Sequence, residues 1–361
     1  MQNRELTAID LFSGMGGLTF GLKKAGFKVL AAVEVDNPSA ETYRANNSEV
    51  ELFVEDIRKL TAEKIFEKIG IQKIDLIAGC PPCQGFCKLT EKYKKEDPRN
   101  TLALEMIRLI EEIDPTMVML ENVPGLAAKG HIIFDEFTLR LEKMGYVINK
   151  AVLQLADYGI PQSRKRLVLL AGKGFKVELP KQTHSRKGNS KLKLKKWATL
   201  KDALKNCNSK KVVTLSEAVK NGGAKKLKWN VVRDMSPANI KRLKALSEGA
   251  NRTAIPTKLR PVCHMKGNKG FQNVYGRLAW DETPPTMTGG CTTLSKGRFG
   301  HPEELRTISV REAALIQTFP KSYKINTEFM EPACTMVGNA LPPKFAKLVA
   351  KACIQAYSSV F

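Results

Sequence analysis

Acidic residues are scarce in this chain: 36 Asp and Glu against 59 Lys and Arg in 361 residues leave a formal charge of +23. Such an excess predicts a polyanionic partner. Nucleic acid fits better than a membrane surface, because no basic amphipathic helix with an apolar face stands out. Long apolar runs are also missing. None approaches the length that spans a bilayer, and the opening Gln2, Asn3, Arg4 and Glu5 lack the apolar core of a signal peptide, so the expectation is a soluble, cytoplasmic protein without membrane association. Cysteine is sparse: eight residues lie scattered without dense, even spacing. That argues against a disulfide framework and for reduced thiols, any one of which can be a nucleophile. No internal repeat is visible. The length suits one large domain or two smaller ones.

What is present begins with alternation. Short apolar runs of the buried-strand type fall at Ala8–Phe12, Val29–Val33, Leu52–Val54, Ile74–Ala78, Met117–Leu120 and Leu167–Ala171. Helical signals lie between them. Asn37 before Pro38 reads as an N-cap followed by proline at the first helical position, and Thr61 opens another helix. Leu102, Met106, Leu109, Ile110 and Ile113 recur at helical spacing and form one apolar face. Alternation of this kind implies a parallel sheet wrapped by helices. From Lys173 the pattern ends. Lysines and arginines crowd 181–196, and Trp197, Trp229, Phe271, Tyr275 and Trp280 then supply aromatic bulk for a second, irregular, loop-rich unit over about 179–325.

Two motifs carry candidate chemistry. Gly79-Cys80-Pro81-Pro82-Cys83-Gln84-Gly85-Phe86 follows an apolar strand and sets thiols at a rigid turn, where nearby basic groups favour the thiolate. Cys80 and Cys83 also form a C-x-x-C pair, which a redox site or half of a zinc site would share; no second pair at matching spacing exists, and Cys87 adds only one nearby thiol. Asp10-Leu11-Phe12-Ser13-Gly14-Met15-Gly16-Gly17 follows the first strand and opens a helix, so its backbone amides can approach a ligand that a Cβ would exclude. Glu34, at the end of the second strand, is placed to accept hydrogen bonds from ribose hydroxyls. A nicotinamide dinucleotide would use both features, but Gly14, Gly16, Gly17 and Gly21 depart from the G-x-G-x-x-G spacing, and no hydride-transfer site is apparent.

Further segments follow in a fixed order: Glu121-Asn122-Val123, Gln162-Ser163-Arg164-Lys165-Arg166, Arg311-Glu312 through Phe319-Pro320, and Gly338-Asn339-Ala340-Leu341-Pro342. With the two motifs above, this ordered set resembles the DNA cytosine-5 methyltransferase family of bacterial restriction-modification systems, from about residue 6 to the last helix. The resemblance implies an α/β, Rossmann-like domain with a mostly parallel sheet over 1–178, completed by 326–361, and a smaller target-recognition domain over 179–325. It implies S-adenosylmethionine as cofactor, with Phe12 against the adenine, Gly14, Gly16 and Gly17 in the loop, Glu34 on the ribose, and Asp56 and Ile57 near the adenine amino group. Pro82, Leu102, Asn339 and Ala340 complete that pocket. Val35 departs from the family, which often has a large aromatic residue there.

The implied mechanism explains why these residue types occur together. C5 of cytosine is a poor nucleophile, so the Cys83 thiolate adds to C6 and makes an enamine whose C5 attacks the methyl group. Glu121 relieves charge at N3 and must carry a proton to do so; Asn122 positions it, while Arg166, with Arg164 as the alternative, steadies the cytosine O2. No metal enters. A stacked base is out of reach, so the cytosine has to flip out of double-stranded DNA; an RNA cytosine-5 methyltransferase and a catalytically inactive nucleic-acid binding module are the alternatives. The basic segment 85–100 then reads as a loop closing over DNA, with Gln84, Arg99, Thr288 and Gly289 as candidate DNA contacts. The expected protein acts as a monomer, with no obligate protein partner and with any cognate restriction endonuclease working separately.

Overall fold

A computed structural model describes residues 4–82, 98–205, 211–265 and 272–361. The chain packs into two compact units. One comprises Met1–Tyr158, Lys165–Gln182 and Leu341–Phe361; the other comprises Gly159–Arg164 and Thr183–Ala340.

The first unit is built on seven strands, β1 (Thr7–Leu11), β2 (Lys28–Val33), β3 (Glu51–Phe53), β4 (Leu76–Gly79), β5 (Met117–Asn122), β6 (Tyr146–Gln154) and β7 (Lys165–Lys173), in the order β3-β2-β1-β4-β5-β7-β6. The first five pair in parallel, whereas β7 runs antiparallel to both β5 and β6. Parallel strands need long crossovers, and helices α1 (Gly17–Ala25), α2 (Asn37–Arg44), α3 (Ala62–Ile69) and α4 (Leu102–Ile113) lie in those between β1 and β5, followed by α5 (Gly125–Ala128) and α6 (His131–Lys143) before β6. Strands β1, β4 and β5 are buried along their whole length, as continuous apolar runs covered on both faces require. Their core includes Ile9, Leu11, Ile77, Met106, Ile107, Val118 and Leu120.

Strand β1 has β2 on one side and β4 on the other, so successive connections leave it in opposite directions. The carboxyl ends of β1 and β4 therefore flank a switch in strand order, the place where open α/β sheets form a ligand crevice. The glycine loop leaves β1 there and the Cys80–Pro82 turn leaves β4.

Local chemistry sets three features that differ from expectation. Strand β4 starts at Leu76 rather than Ile74, and the buried Asp75 just before it ties the start of the strand to the chain entering β1: its carboxylate accepts bonds from Thr7 N (2.8 Å), Thr7 Oγ1 (3.1 Å) and Arg4 Nη1 (2.9 Å). The cap of α2 is Asp36, not Asn37: its carboxylate accepts from Ser39 N at 3.0 Å, with Pro38 inside the first turn. Strand β6 was not anticipated, since its alternating, half-exposed residues belong to an outer strand rather than a buried one. Thr61 does cap α3 through Lys64 N.

Close packing explains one glycine. A Cβ on Gly21 would stand 2.3 Å from Ala346 Cβ in the C-terminal helix (Pro343–Val360), so Gly21 lets α1 lie directly against that helix. It is a packing residue of the glycine series, distinct from the loop glycines Gly14 and Gly16, which take φ of +54° and +94°.

The second unit is irregular. It carries α7 (Leu200–Leu204), α8 (Leu215–Lys220), α9 (Pro237–Lys244), α10 (Val310–Ile316) and α11 (Met330–Asn339), and two short parallel pairs, β8 (His184–Ser185) with β9 (Lys195–Lys196) and β10 (Val213–Thr214) with β11 (Val231–Val232). Reciprocal capping boxes start α7, α8 and α10. Trp229 is fully buried, and its indole N–H donates to Ile325 O at 3.1 Å. Phe299 and Phe319 are also buried, whereas Phe271 lies outside the described residues. Within the basic stretch 181–196, the β8–β9 pair and an Asn189–Leu194 bridge give local order to a largely exposed surface.

Candidate active site

The glycine loop is held from below and from the side. Ser13 N donates to Val33 O at 3.0 Å, and Gly14 N donates to Glu34 Oε2 at 2.7 Å. The other Glu34 oxygen accepts from Asp36 N at 2.7 Å, so one carboxylate ties the β1 turn to the β2 turn. Burial pushes the Glu34 carboxyl above its usual range, and the Asp36 and Gly14 amides offset part of that. Phe12 adopts φ +62°, a left-handed conformation that a bulky residue takes only when its surroundings enforce it. Strain of this kind concentrates at ligand sites, and it occurs here at the crevice end of β1. Beneath the loop Asp10 is fully buried in an otherwise apolar strand. Its Oδ2 accepts from Thr19 Oγ1 at 2.6 Å, Oδ1 has no hydrogen bond, and burial lifts the carboxyl to about 7.

At the neighbouring strand ends a second cluster forms. Pairing of Gly79 with Leu120 brings Cys80 opposite Glu121, and the Asn122 amide donates to Pro81 O at 2.9 Å. Asn122 Oδ1 also accepts from Val123 N at 2.7 Å, fixing the turn after β5. From β7, which runs alongside β5, Arg166 places Nε 2.7 Å from Glu121 Oε1. Both side chains are largely buried, yet this is a charge contact: Glu121 Oε1 makes no aligned hydrogen bond. Cys80 is half-buried as a residue, with the Glu121 carboxyl nearby. Burial, with the nearby Glu121 and Asp10 carboxyls, pushes the Cys80 thiol well above the usual range of a free thiol, which disfavours the thiolate.

The remaining expected residues divide among three places. Cys83 and Gln84 lie outside the described residues. Pro82 and Leu102 are half-buried in the first unit, Ile57 is buried in its core, and Arg99 is exposed. Asp56 caps a short turn through Arg58 N, and Arg58 Nε also reaches both its carboxylate oxygens, at 3.0 and 3.1 Å. The Arg58 guanidinium holds the Asp56 carboxyl down at about 2. Arg164, Thr288, Gly289, Asn339 and Ala340 belong to the second unit. There Arg164 donates to Met287 O (2.9 Å) and Gly338 O (3.0 Å), and the buried Gln162 bonds Gln317 (2.7 Å) and Met287 N (2.8 Å). Thr288 and Gly289 press their backbone on Gly338, where a Cβ would come within 2.1 Å. Arg311 and Glu312 also serve architecture: Arg311 donates to Lys228 O and Tyr323 O, and Glu312 pairs with buried Arg306 at 2.8 Å. Asp10 and Cys80 were not singled out as site residues by sequence reasoning. An acid inside an apolar strand was the available signal for the first, while the second depends on strand register.

Comparison with known proteins decides the family. The model of the C-5 cytosine-specific DNA methylases matches residues 6–355. The chain belongs to that family. This methylase is 33% identical to the Type II methylase M.HgiDII of Herpetosiphon aurantiacus, over 95% of its own length and 93% of the relative. It is 32% identical to the Type II methyltransferase M1.BsuMI of Bacillus subtilis, over 96% and 81% respectively. Its structure superposes with a TM-score of 0.70 and 25% identity on a candidate DNA modification methyltransferase encoded within an E. coli prophage, covering 98% of this chain and 99% of that one. The Entamoeba histolytica methyltransferase EhMeth shares the fold at 17% identity and a TM-score of 0.61, with 98% and 99% covered. The activity class is therefore DNA cytosine methylation. Among the described residues, no helix is long and apolar enough to cross a membrane.

Proposed function

We propose that this methylase uses S-adenosylmethionine to methylate C5 of a cytosine flipped out of a specific duplex DNA sequence, through a covalent bond between Cys83 and C6 of the base. The observation that carries the reading is the buried Glu121–Arg166 pair on β5 and β7, beside the Cys80–Pro82 segment that leaves β4 at the switch in sheet order. Cys83 follows Pro82 directly in the sequence.

The first unit fits the cofactor. Phe12 in its strained conformation, the Gly14 and Gly16 backbone and the Glu34 carboxylate stand at the carboxyl ends of β1 and β2, and Glu34 retains lone pairs beyond those that bind Gly14 N and Asp36 N. Asp56, Ile57, Pro82 and Leu102 are assigned to the same pocket. When bound, S-adenosylmethionine supplies an electrophilic methyl group. The chain's own residues do the rest. Cys83 adds to C6 as a thiolate; Glu121 donates a hydrogen bond or proton to N3; Arg166 offsets the negative charge that moves toward O2; Asn122 keeps the β5 turn against Pro81. Loss of the C5 proton then expels Cys83 by elimination.

Net charge supports the polyanionic substrate, and the lysine-rich surface of the second unit, with Gln84, Arg99, Thr288 and Gly289, is assigned to DNA. The protein works as a cytoplasmic monomer, and a cognate endonuclease would act separately. The test is incubation with methyl-labelled S-adenosylmethionine and separate pools of duplex DNA and structured RNA. Label at cytosine C5 of DNA is the expected result. Label confined to RNA, or tight salt-sensitive binding with no transfer, would overturn the assignment.

A further inference from the structure

In the second unit, the segment from Asn251 to Met265 is a strap of three short 3-10 turns, Arg252–Ala254, Thr257–Leu259 and Val262–His264, the last two preceded by Pro256 and Pro261. Its shape is held at many points. Proline fixes φ ahead of two turns, Asn251 Oδ1 accepts from Thr253 N at 2.9 Å and from Thr253 Oγ1 at 2.7 Å, and the buried Ile255 anchors the strap to the unit. Two guanidinium groups brace it. Arg242, from α9, donates Nε to Leu259 O at 2.7 Å, and Arg260 donates to Ile255 O at 2.8 Å and Thr253 O at 3.0 Å. Tyr275 joins α9 to the end of the strap, with the Arg242 guanidinium 5.7 Å from its ring centre and the His264 ring set edge-on at 5.5 Å.

On this braced support two apolar side chains face outward. Val262 is 84% exposed, more than any other large apolar residue among those described, and Met265 is 54% exposed. They form a pair, because residues three apart on a 3-10 turn eclipse each other on one side. The charge around them selects the partner. No Asp or Glu occurs between Glu248 and Asp281, whereas Arg252, Lys258, Arg260, Lys266, Lys269 and Arg277 do, and Lys258 on the strap is exposed. An apolar pair inside an acid-free, cationic segment suits duplex DNA: cations meet the phosphates, and the apolar group on a major-groove base edge is a pyrimidine C5-methyl.

We propose that Val262 and Met265 are specificity-determining residues of this methylase, which pack on the C5-methyl group of a pyrimidine in the major groove of the bound duplex. Thymine supplies that methyl in unmodified DNA, and 5-methylcytosine supplies the same group on a strand already modified. The inference rests on the duplex-DNA substrate proposed above. Neither side chain takes part in methyl transfer; the pair selects the sequence at which transfer occurs.

The test uses the full-length protein, with its target first mapped by labelled methyl transfer. Duplexes then carry deoxyuridine for each thymine of the target and its flanks in turn, which removes one methyl and keeps the pairing, or 5-methylcytosine for cytosine in the strand opposite the reacting base. The ratio kcat/KM is read for the parent, Val262→Ala, Val262→Ala/Met265→Ala and Val262→Ile. Removing the contacted methyl should lower the parent's kcat/KM by about three- to tenfold. The alanine variants should lose a similar factor on the methyl-bearing duplex and little more when the methyl is also removed, because both changes delete one contact. Isoleucine keeps the discrimination. Sensitivity to deoxyuridine identifies thymine as the source of the methyl, and sensitivity confined to 5-methylcytosine identifies the modified strand; either supports the contact. A parent that ignores every C5-methyl overturns the inference, as do alanine variants that discriminate as sharply as the parent or that lose activity equally on all duplexes. A parent protein that methylates no DNA cytosine would instead sink the proposed function, and this inference with it.

Discussion

Replacing Asp10 with asparagine should remove a pH dependence from the stability of the first unit. The Asp10 carboxyl is fully buried and lifted from 3.8 to about 7 by burial, against the lowering effect of Thr19. In the unfolded chain it returns to its ordinary value, so between pH 4 and 7 the folded state keeps a proton that the unfolded state has released. Stability from this group is therefore complete below about pH 4 and is lost as the pH rises toward 7. At about 1.36 kcal/mol per pH unit, a rise of roughly three units corresponds to a loss on the order of 4 kcal/mol by pH 8. Asparagine keeps an acceptor for Thr19 Oγ1 and cannot ionise. Urea unfolding of both proteins at pH 4.5 and 8 measures the effect. The difference in unfolding free energy should move in favour of Asp10→Asn by a few kcal/mol between those two values. Parallel pH profiles for the two proteins would refute the reasoning, because they would mean that Asp10 titrates alike in the folded and unfolded states.

Removing the guanidinium in Arg166→Ala strands the buried Glu121 carboxylate; kcat for methyl transfer should fall on the order of a hundredfold or more, measured in single turnover, with little change in the DNA KM. Gly21→Ala forces a Cβ to within 2.3 Å of Ala346 Cβ and should destabilise the α1 contact with the C-terminal helix by about 1–3 kcal/mol, seen as a lower unfolding temperature. Binding to duplex DNA should weaken steeply with salt, and filter binding across a salt series should give a slope that reports how many phosphates the basic surface meets.

Much of the sheet was legible because parallel strands are written as continuous apolar runs. The strand β6 was not, since at an outer position only part of its surface meets the core and the run breaks into Tyr146, Val147, Ile148, then Ala151 to Leu153. The α2 cap moved by one residue because both Asp36 and Asn37 are good caps, and only the backbone course decides which side chain reaches Ser39 N. Residue type alone was enough to single out the loop glycines, Glu34 just after β2 and Glu121 near the end of β5 as candidates. What the sequence could not state was register. The pairing of β4 with β5 brings Cys80 to Glu121, and that of β5 with β7 brings Arg166 there. Gly21 likewise looked like one more loop glycine, and its reason lies more than three hundred residues away in Ala346.

The central claim is covalent chemistry at Cys83, and the most direct measurement is a trap. Duplex DNA carrying 5-fluorocytosine at the target gives the enzyme a base whose C5 position has no proton to lose after methyl transfer, so elimination stops with the base still bonded to sulfur. Incubation with S-adenosylmethionine, denaturation and peptide mass spectrometry should find the oligonucleotide attached at Cys83, and no adduct with Cys83→Ser. Attachment at another residue, or methylation of ordinary cytosine by a Cys83→Ser protein at an undiminished rate, would contradict the account.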